Sequence, residues 1–277
     1  MPTGIEWTQE TWNPVTGCTP VSEGCEHCYA KRMANRLRGR FGYPADEPFR
    51  VTLHPDKLGD PLHWKKPRQI FVCSMGDLFH EDVPFEYIDQ VLARAVLCPQ
   101  HTFQVLTKRP ERLLEYLDSE RYTARKVFDV AEECAGEPIP GSFDCDHLWP
   151  LPNVWLGVTA ENQRTADERI PLLLQCPAAV RFVSLEPLLG CIDDMEDYLT
   201  PLCGWPEDRA ALDWVIVGAE TGPGARPMDP LWARNIRDQG VRARVPFFFK
   251  RDSSGSRLLD GREWNQMPEG GKDKVDG

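Results

Sequence analysis

Short, continuous apolar runs punctuate this chain: IFVCS at 70–74, TFQVL at 102–106, VWLGV at 154–158, RFVSL at 181–185, WVIVG at 214–218 and PFFFK at 246–250. They do not alternate with polar residues. That is the pattern of strands buried on both faces, as in a parallel sheet. A first strand is expected ahead of them, around 6–12. Between the runs lie stretches with helical spacing. FEYIDQVLARAVL at 85–97 carries apolar residues about every 3.6 positions. The stretch 110–117 opens with proline, which a first helical turn tolerates. Helices are also expected at 29–40, 165–174 and 230–238. Six or seven strand-then-helix units predict a parallel α/β fold, a partial or complete (β/α) barrel, with a doubly wound open sheet as the structural rival. Residues 119–150, with Pro138, Pro140, Gly141 and Cys145, break the rhythm and read as a loop insertion. One domain is expected over 1–268, followed by a frayed, Gly-rich and charged tail at 269–277.

The runs close in polar, ionisable or glycine-rich residues. Ser74, Gly76 and Asp77 end the first; Thr107 and Lys108 end the second; Thr159 and Glu161 end the third. The fourth carries Ser184 and runs into Glu186, the fifth runs into Glu220 and the glycine loop at 222–224, and the sixth ends on Lys250. In parallel α/β folds the C-terminal strand ends share one rim, and that rim holds the site. Loops there are polar in any case, and a residue such as Asp77 also reads as a plain helix cap.

Cys18, Cys25 and Cys28 fall within eleven residues, spaced C-x6-C-x2-C, on the loop after the first expected strand. Pro20 and Gly24 let that loop curl. A [4Fe–4S] cluster normally takes four thiolates, so three leave one iron open to a substrate or cofactor, which points to chemistry rather than scaffolding. Zinc is the rival metal: His27 would complete a Cys3His set, although adjacent His27 and Cys28 are poorly placed to ligate the same ion. Ordinary buried thiols are the third reading. Of the other seven cysteines, Cys73 and Cys191 lie at or near strand ends. Cys98, Cys134, Cys145, Cys176 and Cys203 show no ligand-like spacing.

Composition narrows the setting. The chain has 277 residues, of which 41% are hydrophobic, so a folded core is expected. No apolar run reaches the roughly 18 residues of a membrane span, and the opening MPTGIEWTQETW lacks the features of a secretory leader. A cytoplasmic protein with reduced thiols and a metal site is expected, rather than a disulfide framework. Net charge is −11, which argues against attraction of nucleic acid by the whole surface. Two basic patches remain, Lys65, Lys66 and Arg68, and Lys108, Arg109 and Arg112, either as phosphate sites or as solvated faces.

The segment TWNPVTGCTPVSEGCEHCYAKRMANRL resembles a phage- and prophage-associated three-cysteine-motif family of unknown function. The likeness continues through IFVCSMGDLFHEDVP, HTFQVLTKRPERL, LPNVWLGVTAENQ, RFVSLEPLLG, LDWVIVGAETGPGARP, VPFFFK and GREWNQMP. That family in turn resembles radical S-adenosylmethionine (SAM) enzymes, especially the branch containing spore photoproduct lyase. The common motif of those enzymes is C-x3-C-x2-C; here the first gap is six, and His27 stands where an aromatic residue often precedes the last cysteine.

The resemblance implies a radical SAM-type barrel and a set of roles. Cys18, Cys25 and Cys28 would bind three irons, and the fourth would chelate SAM. Ser74, Gly76 and Asp77 would hold the SAM amino group. Lys108, beside Thr107, would meet the SAM carboxylate or a substrate phosphate. Thr159 and Glu161 would reach the ribose, and Ser184 and Glu186 the adenine or substrate. Glu220, the glycine loop, Arg226 and Lys250 would line the substrate side, and Cys73 or Cys191 would return a hydrogen atom. A reductase, flavodoxin or ferredoxin would donate the electron, and the substrate would be a nucleotide, a modified base or nucleic acid.

Two other function classes stay open. One is a non-catalytic Fe–S or zinc module acting through a protein partner, with Trp7, Trp12 and Trp264 as interface candidates, although most tryptophans end in cores. The other is a barrel hydrolase using Glu186 and Glu220 as an acid–base pair.

Overall fold

Seven of the expected strands assemble into one sheet. The computed structural model describes residues 3–118, 120–140, 142, 149–200 and 210–268. The strands are β1 (Glu10–Trp12), β2 (Val15–Thr16), β3 (Thr52–Leu53), β4 (Gln69–Val72), β5 (Thr102–Thr107), β6 (Val154–Thr159), β7 (Val180–Leu185), β8 (Trp214–Val217), β9 (Phe247–Phe249), β10 (Leu258–Leu259) and β11 (Arg262–Glu263). The main sheet runs in the order β1-β4-β5-β6-β7-β8-β9. The pairs β1–β4, β4–β5, β7–β8 and β8–β9 are parallel. Short antiparallel pairs join β2 to β3 and β10 to β11. The order follows the chain without reversal. A doubly wound sheet would reverse at a switch point, so this is the strand order of a partial (β/α) barrel.

The helices are α1 (Tyr29–Arg36), α2 (Phe85–Leu97), α3 (Pro110–Leu117), α4 (Glu120–Ala135), α5 (Gln163–Leu173), α6 (Glu196–Leu199) and α7 (Pro230–Ala243). Local chemistry explains their limits. α2 buries Tyr87, Ile88, Val91, Leu92 and Ala95 at helical spacing. α5 starts at a capping box in which the Asn162 side chain accepts from Thr165 N. α7 starts at Asp229, whose side chain accepts from Leu231 N, and ends at Arg244, which is left-handed at φ 59°. α1 stops at Arg36, short of the expected 40, because left-handed Gly39 and Phe41 turn the chain away.

Residues 119–150 are not only a loop insertion. α4 occupies 120–135 and packs on α2. Its buried Ala124, Val127, Phe128 and Ala131 recur at helical spacing, a signal already present in the sequence. Gly141 and residues 143–148, with Cys145, lie outside the described residues, as do Cys203 and the tail at 269–277.

The chain packs as two compact units. One comprises Met1–Thr19, Ala30–Leu156 and Cys176–Ala179; the other comprises Pro20–Tyr29, Gly157–Gln175 and Val180–Gly277. The core of the first includes Trp12, Ile70, Phe79, Ile88, Phe103 and Leu113. The core of the second includes Ile170, Leu173, Phe182, Trp214 and Phe247. In the second unit β9 is covered on its outer side. Phe249 N donates to Trp264 O at 2.7 Å, Phe248 forms an antiparallel bridge with Asn265, and Phe247 N donates to the Gln266 side chain at 3.1 Å. No helix among the described residues is long and apolar enough to cross a membrane.

Candidate functional site

Cys18 belongs to the first unit, and its backbone is fixed beside the end of β4. Gly17 sits at φ +86°, and a Cβ there would fall 2.2 Å from the Arg50 carbonyl oxygen, so no other residue fits. Gly17 N donates to Met75 O at 2.9 Å and Gly17 pairs with Gly76 as a parallel bridge. Cys18 N donates to Phe49 O at 3.2 Å. Asn13 Oδ1 accepts from Met75 N at 2.9 Å and from Ser74 Oγ at 3.2 Å. Ser74 and Gly76, expected to hold the SAM amino group, therefore also build the support under the cysteine loop.

Asp77 is buried and takes four donors. Oδ1 accepts from Phe79 N at 3.0 Å and Thr107 Oγ1 at 2.8 Å, and Oδ2 from Lys108 N at 3.1 Å and Arg109 Nη1 at 3.3 Å. That nearly fills a carboxylate's capacity, so Asp77 ties the ends of β4 and β5 together. Arg109 is buried as well. Its guanidinium donates to Cys18 Sγ at 3.3 Å and to Thr19 O and Oγ1 at 3.1 and 2.9 Å. A cation donating to sulfur suits a sulfur that carries negative charge, as a metal-bound thiolate does. His80 Nδ1 accepts from Asp82 N at 3.1 Å, so Nε2 carries the hydrogen and faces Thr19 Oγ1 at 2.8 Å. Burial, and then the Arg109 charge, push the His80 pKa down, which keeps the ring neutral.

The patch of Lys108, Arg109 and Arg112 is therefore not a simple solvated face. Arg112 donates to His80 O at 3.2 Å and Val83 O at 2.9 Å, and stacks 4.3 Å from the Phe85 ring centroid.

Cys25 and Cys28 belong to the second unit. Cys25 closes a single 3-10 turn, Glu23–Cys25, and Cys28 directly precedes α1. Ser22 caps that turn through its carbonyl, which accepts from Cys25 N at 3.0 Å. Ser22 Oγ donates to Glu161 Oε1 at 2.8 Å. Gly24 lies flat against Glu161: a Cβ would be 2.3 Å from Oε1. Glu161 is fully buried, and its Oε2 accepts from Arg169 Nη1 at 3.1 Å. Arg169 Nη1 also donates to Thr159 O at 2.7 Å. Thr159 and Glu161 thus join the end of β6 to the cysteine turn.

A second network grips the same turn. Arg226 Nη2 donates to Glu23 O at 2.9 Å and Nη1 to Glu26 at 3.1 Å. Glu220 accepts from Arg226 N, Nε and Nη2 at 2.8, 3.0 and 2.6 Å, and from His27 Nδ1 at 2.9 Å. Burial pushes the Glu220 carboxyl up, but the Arg226 side chain and backbone and His27 outweigh it and hold its pKa at about 2. The sign follows from that depression. The stability Glu220 contributes is complete above its ordinary value of 4.5 and falls away as pH drops towards about 2. Glu220→Gln is expected to flatten the loss of stability across that window, as read from urea midpoints at successive pH values.

Glu186 pairs with Lys250, so neither stands as a lone acid or base. Glu220, which its partners hold ionised at neutral pH, and Glu186 thus each have a cation beside them. Ser184 is buried, and its carbonyl accepts from Ala160 N at 3.1 Å. Cys73 is buried in a left-handed conformation, φ 59°, and burial pushes its thiol far up. Cys191 is exposed on the loop after β7.

Among the described residues, no three His, Cys, Asp or Glu side chains are grouped as a metal-holding set. The motif carries three thiols, the donor type that Fe–S clusters take. Cys18, Cys25 and Cys28 are all partly exposed, on turns that polar contacts hold. Cys73, Cys98 and Cys176 are buried, and burial pushes the Cys98 thiol up to about 11.

The model of the family DUF5131, described as a protein of unknown function, matches residues 2–268. The chain belongs to DUF5131. No curated protein and no solved structure matches it significantly. For this DUF5131 protein the sequence pointed to strand-end residues but not to the groups that hold them. Asn13, Ser22 and Arg169, and the buried role of Arg109, escaped it. A buried arginine reads in sequence like a solvated one; only its place at or just after a strand end, as with Arg109, was a usable signal.

Proposed function

We propose that this chain is a radical SAM-type enzyme in which Cys18, Cys25 and Cys28 bind a [4Fe–4S] cluster, acting on a nucleotide, a modified base or nucleic acid. One observation carries the reading. The three motif thiols are partly exposed and sit on turns held by buried polar networks, with the Arg109 guanidinium donating to Cys18 Sγ, whereas Cys73, Cys98 and Cys176 are sealed in the interior and exposed Cys134 and Cys191 stand apart in sequence. When bound, the cluster and SAM would supply a 5′-deoxyadenosyl radical able to abstract hydrogen from a substrate.

The chain's own residues then divide into two groups. Asp77, Thr107, Arg109, Thr159, Glu161, Arg169, Glu220 and Arg226 fix the cysteine turns and strand ends. Ser74, Gly76 and Lys108 remain the contacts for the amino and carboxylate ends of SAM, Ser184 and Glu186 for the adenine side, and Lys250 for the substrate side. Cys191, exposed, is better suited than buried Cys73 to meet a substrate.

A second reading, a non-catalytic Fe–S or zinc module working through a protein partner, draws on a different observation: the strand-end carboxylates Asp77, Glu161, Glu186 and Glu220 are all engaged inside the protein. One experiment separates the two. Protein purified without oxygen is analysed for iron, sulfide and zinc, then reduced with dithionite in the presence of SAM. The radical reading predicts about four irons and four sulfides per chain, and release of 5′-deoxyadenosine. Iron without SAM cleavage, or a single zinc, would move the protein to the module reading.

A further inference from the structure

The segment after the cysteine motif carries a concentration of charge at odds with the rest of the chain. Over the thirteen residues 31–43 there are five cations, Lys31, Arg32, Arg36, Arg38 and Arg40, and no acid, in a protein of net charge −11. Lys31, Arg36, Arg38 and Arg40 are exposed on α1 and the turn that follows it, all within the first unit. None of these four forms an ion pair with a carboxylate among the described residues. Their hydrogen bonds leave the charge uncompensated. Arg38 Nη1 donates to Ala45 O and Asp46 O at 2.9 and 3.3 Å, and Arg40 Nη2 to Arg36 O at 2.9 Å. These bonds fix the two guanidiniums along the turn without neutralising them.

At the tip of the same turn stands Phe41, 73% exposed. It adopts φ 55°, a left-handed conformation that bulky residues avoid. A turn held only for its shape would place glycine there, as at flanking Gly39 and Gly42. The chain instead displays an aromatic face to solvent, within a segment that carries five cations and no acid. Cations spaced along a segment, with an aromatic ring for stacking, are the two components of single-strand nucleic-acid recognition.

We propose that α1 and the turn through Phe41 dock single-stranded nucleic acid, with phosphates on Lys31, Arg36, Arg38 and Arg40 and an unpaired base on Phe41. A duplex presents stacking faces only at its ends, so a single strand fits better. This names the substrate class of the enzyme proposed above. The link from this face to a reaction rests on that reading, whereas the binding itself does not.

The test is fluorescence anisotropy of a labelled twenty-nucleotide oligo-dT against the full chain over a range of salt, with and without its cluster. The triple variant Lys31→Gln, Arg36→Gln, Arg40→Gln removes three exposed charges. It is expected to weaken binding and to make the slope of log K against log[salt] shallower by about 2, at roughly 0.7 per phosphate contact. Phe41→Ala is expected to weaken binding about tenfold with the slope unchanged, and Phe41→Trp to restore it. Equal melting temperatures show that these surface variants fold. Unchanged affinity and slope in the triple variant would overturn the proposal. So would polyglutamate competing as well as the oligonucleotide, which would mark a docking face for acidic proteins instead. Binding with no 5′-deoxyadenosine formed would leave this surface standing and sink the radical reading alone.

Discussion

Alanine in place of Cys18, Cys25 or Cys28 is expected to strip the iron from protein purified without oxygen, from about four atoms per chain to below about one. The reason is coordination arithmetic. Three thiolates already leave one iron without a protein ligand, so losing another leaves two irons unheld. Cys134→Ser and Cys191→Ser, at the exposed cysteines outside the motif, are expected to leave iron and sulfide unchanged. That contrast matters because a surface thiol also collects iron adventitiously during reconstitution. If all five variants lose metal alike, the metal is not on the motif. If the three motif variants keep it, the spacing C-x6-C-x2-C has another purpose. Arg109→Met refines the result. It removes the donor to Cys18 Sγ, 3.3 Å away, and is expected to retain iron but to lower the reduction potential of the cluster, because hydrogen bonds to sulfur favour the reduced form.

The second large effect is on stability. Glu161→Ala removes a carboxylate with no exposed surface and leaves the Arg169 guanidinium, 7% exposed, without that partner. Breaking a buried ion pair from one side costs about 3–5 kcal/mol. Much of a typical domain's margin would go, and the urea midpoint should fall accordingly. Ser22 also loses its acceptor, so the loss reaches the turn that carries Cys25. Glu161→Gln keeps an acceptor oxygen for Arg169 and turns its NH2 towards Ser22 Oγ, a hydroxyl that can accept, and is expected to cost less. The double variant Glu161→Leu, Arg169→Met removes both charges together. It is expected to be more stable than Glu161→Ala, since an apolar pair avoids the uncompensated cation. A double variant no better than the single would show that the bond from Arg169 to Thr159 O, not the ion pair, dominates.

Strands were the most legible elements, because runs such as TFQVL and VWLGV are continuous, short and bounded. β5 and β6 fall within a residue or so of those runs. Helices with a proline or a clear apolar period were equally plain, as with α2 and α3. α4 was obscured by the proline- and glycine-rich residues after it, although Ala124, Val127, Phe128 and Ala131 carried the period. The two-residue strands β2 and β3 have no periodicity to detect; their pairing depends on Gly17 and its approach to Arg50, which is tertiary. At the site, the sequence identified strand-end carboxylates but not their partners. At Asp77 and Glu161 the sequence shows the acid but not its burial, because exposed and buried acids are spelled alike. Burial turns both into anchors: an acid without water must find donors nearby, and Arg109 and Arg169 supply them.

The strip at 264–266 has a consequence for how the protein behaves in solution. β9 is the last strand of an open sheet, and three phenylalanines in a row would otherwise present an unpaired backbone edge to any passing chain. The antiparallel contact through Trp264, Asn265 and Gln266 closes that edge, and Gln266 O also accepts from Trp214 Nε1 at 2.9 Å. These few residues work as a selvedge. Trimming the chain before Trp264 would spare every strand of the sheet yet invite strand-to-strand aggregation, whereas extensions placed beyond residue 268 leave the hem intact.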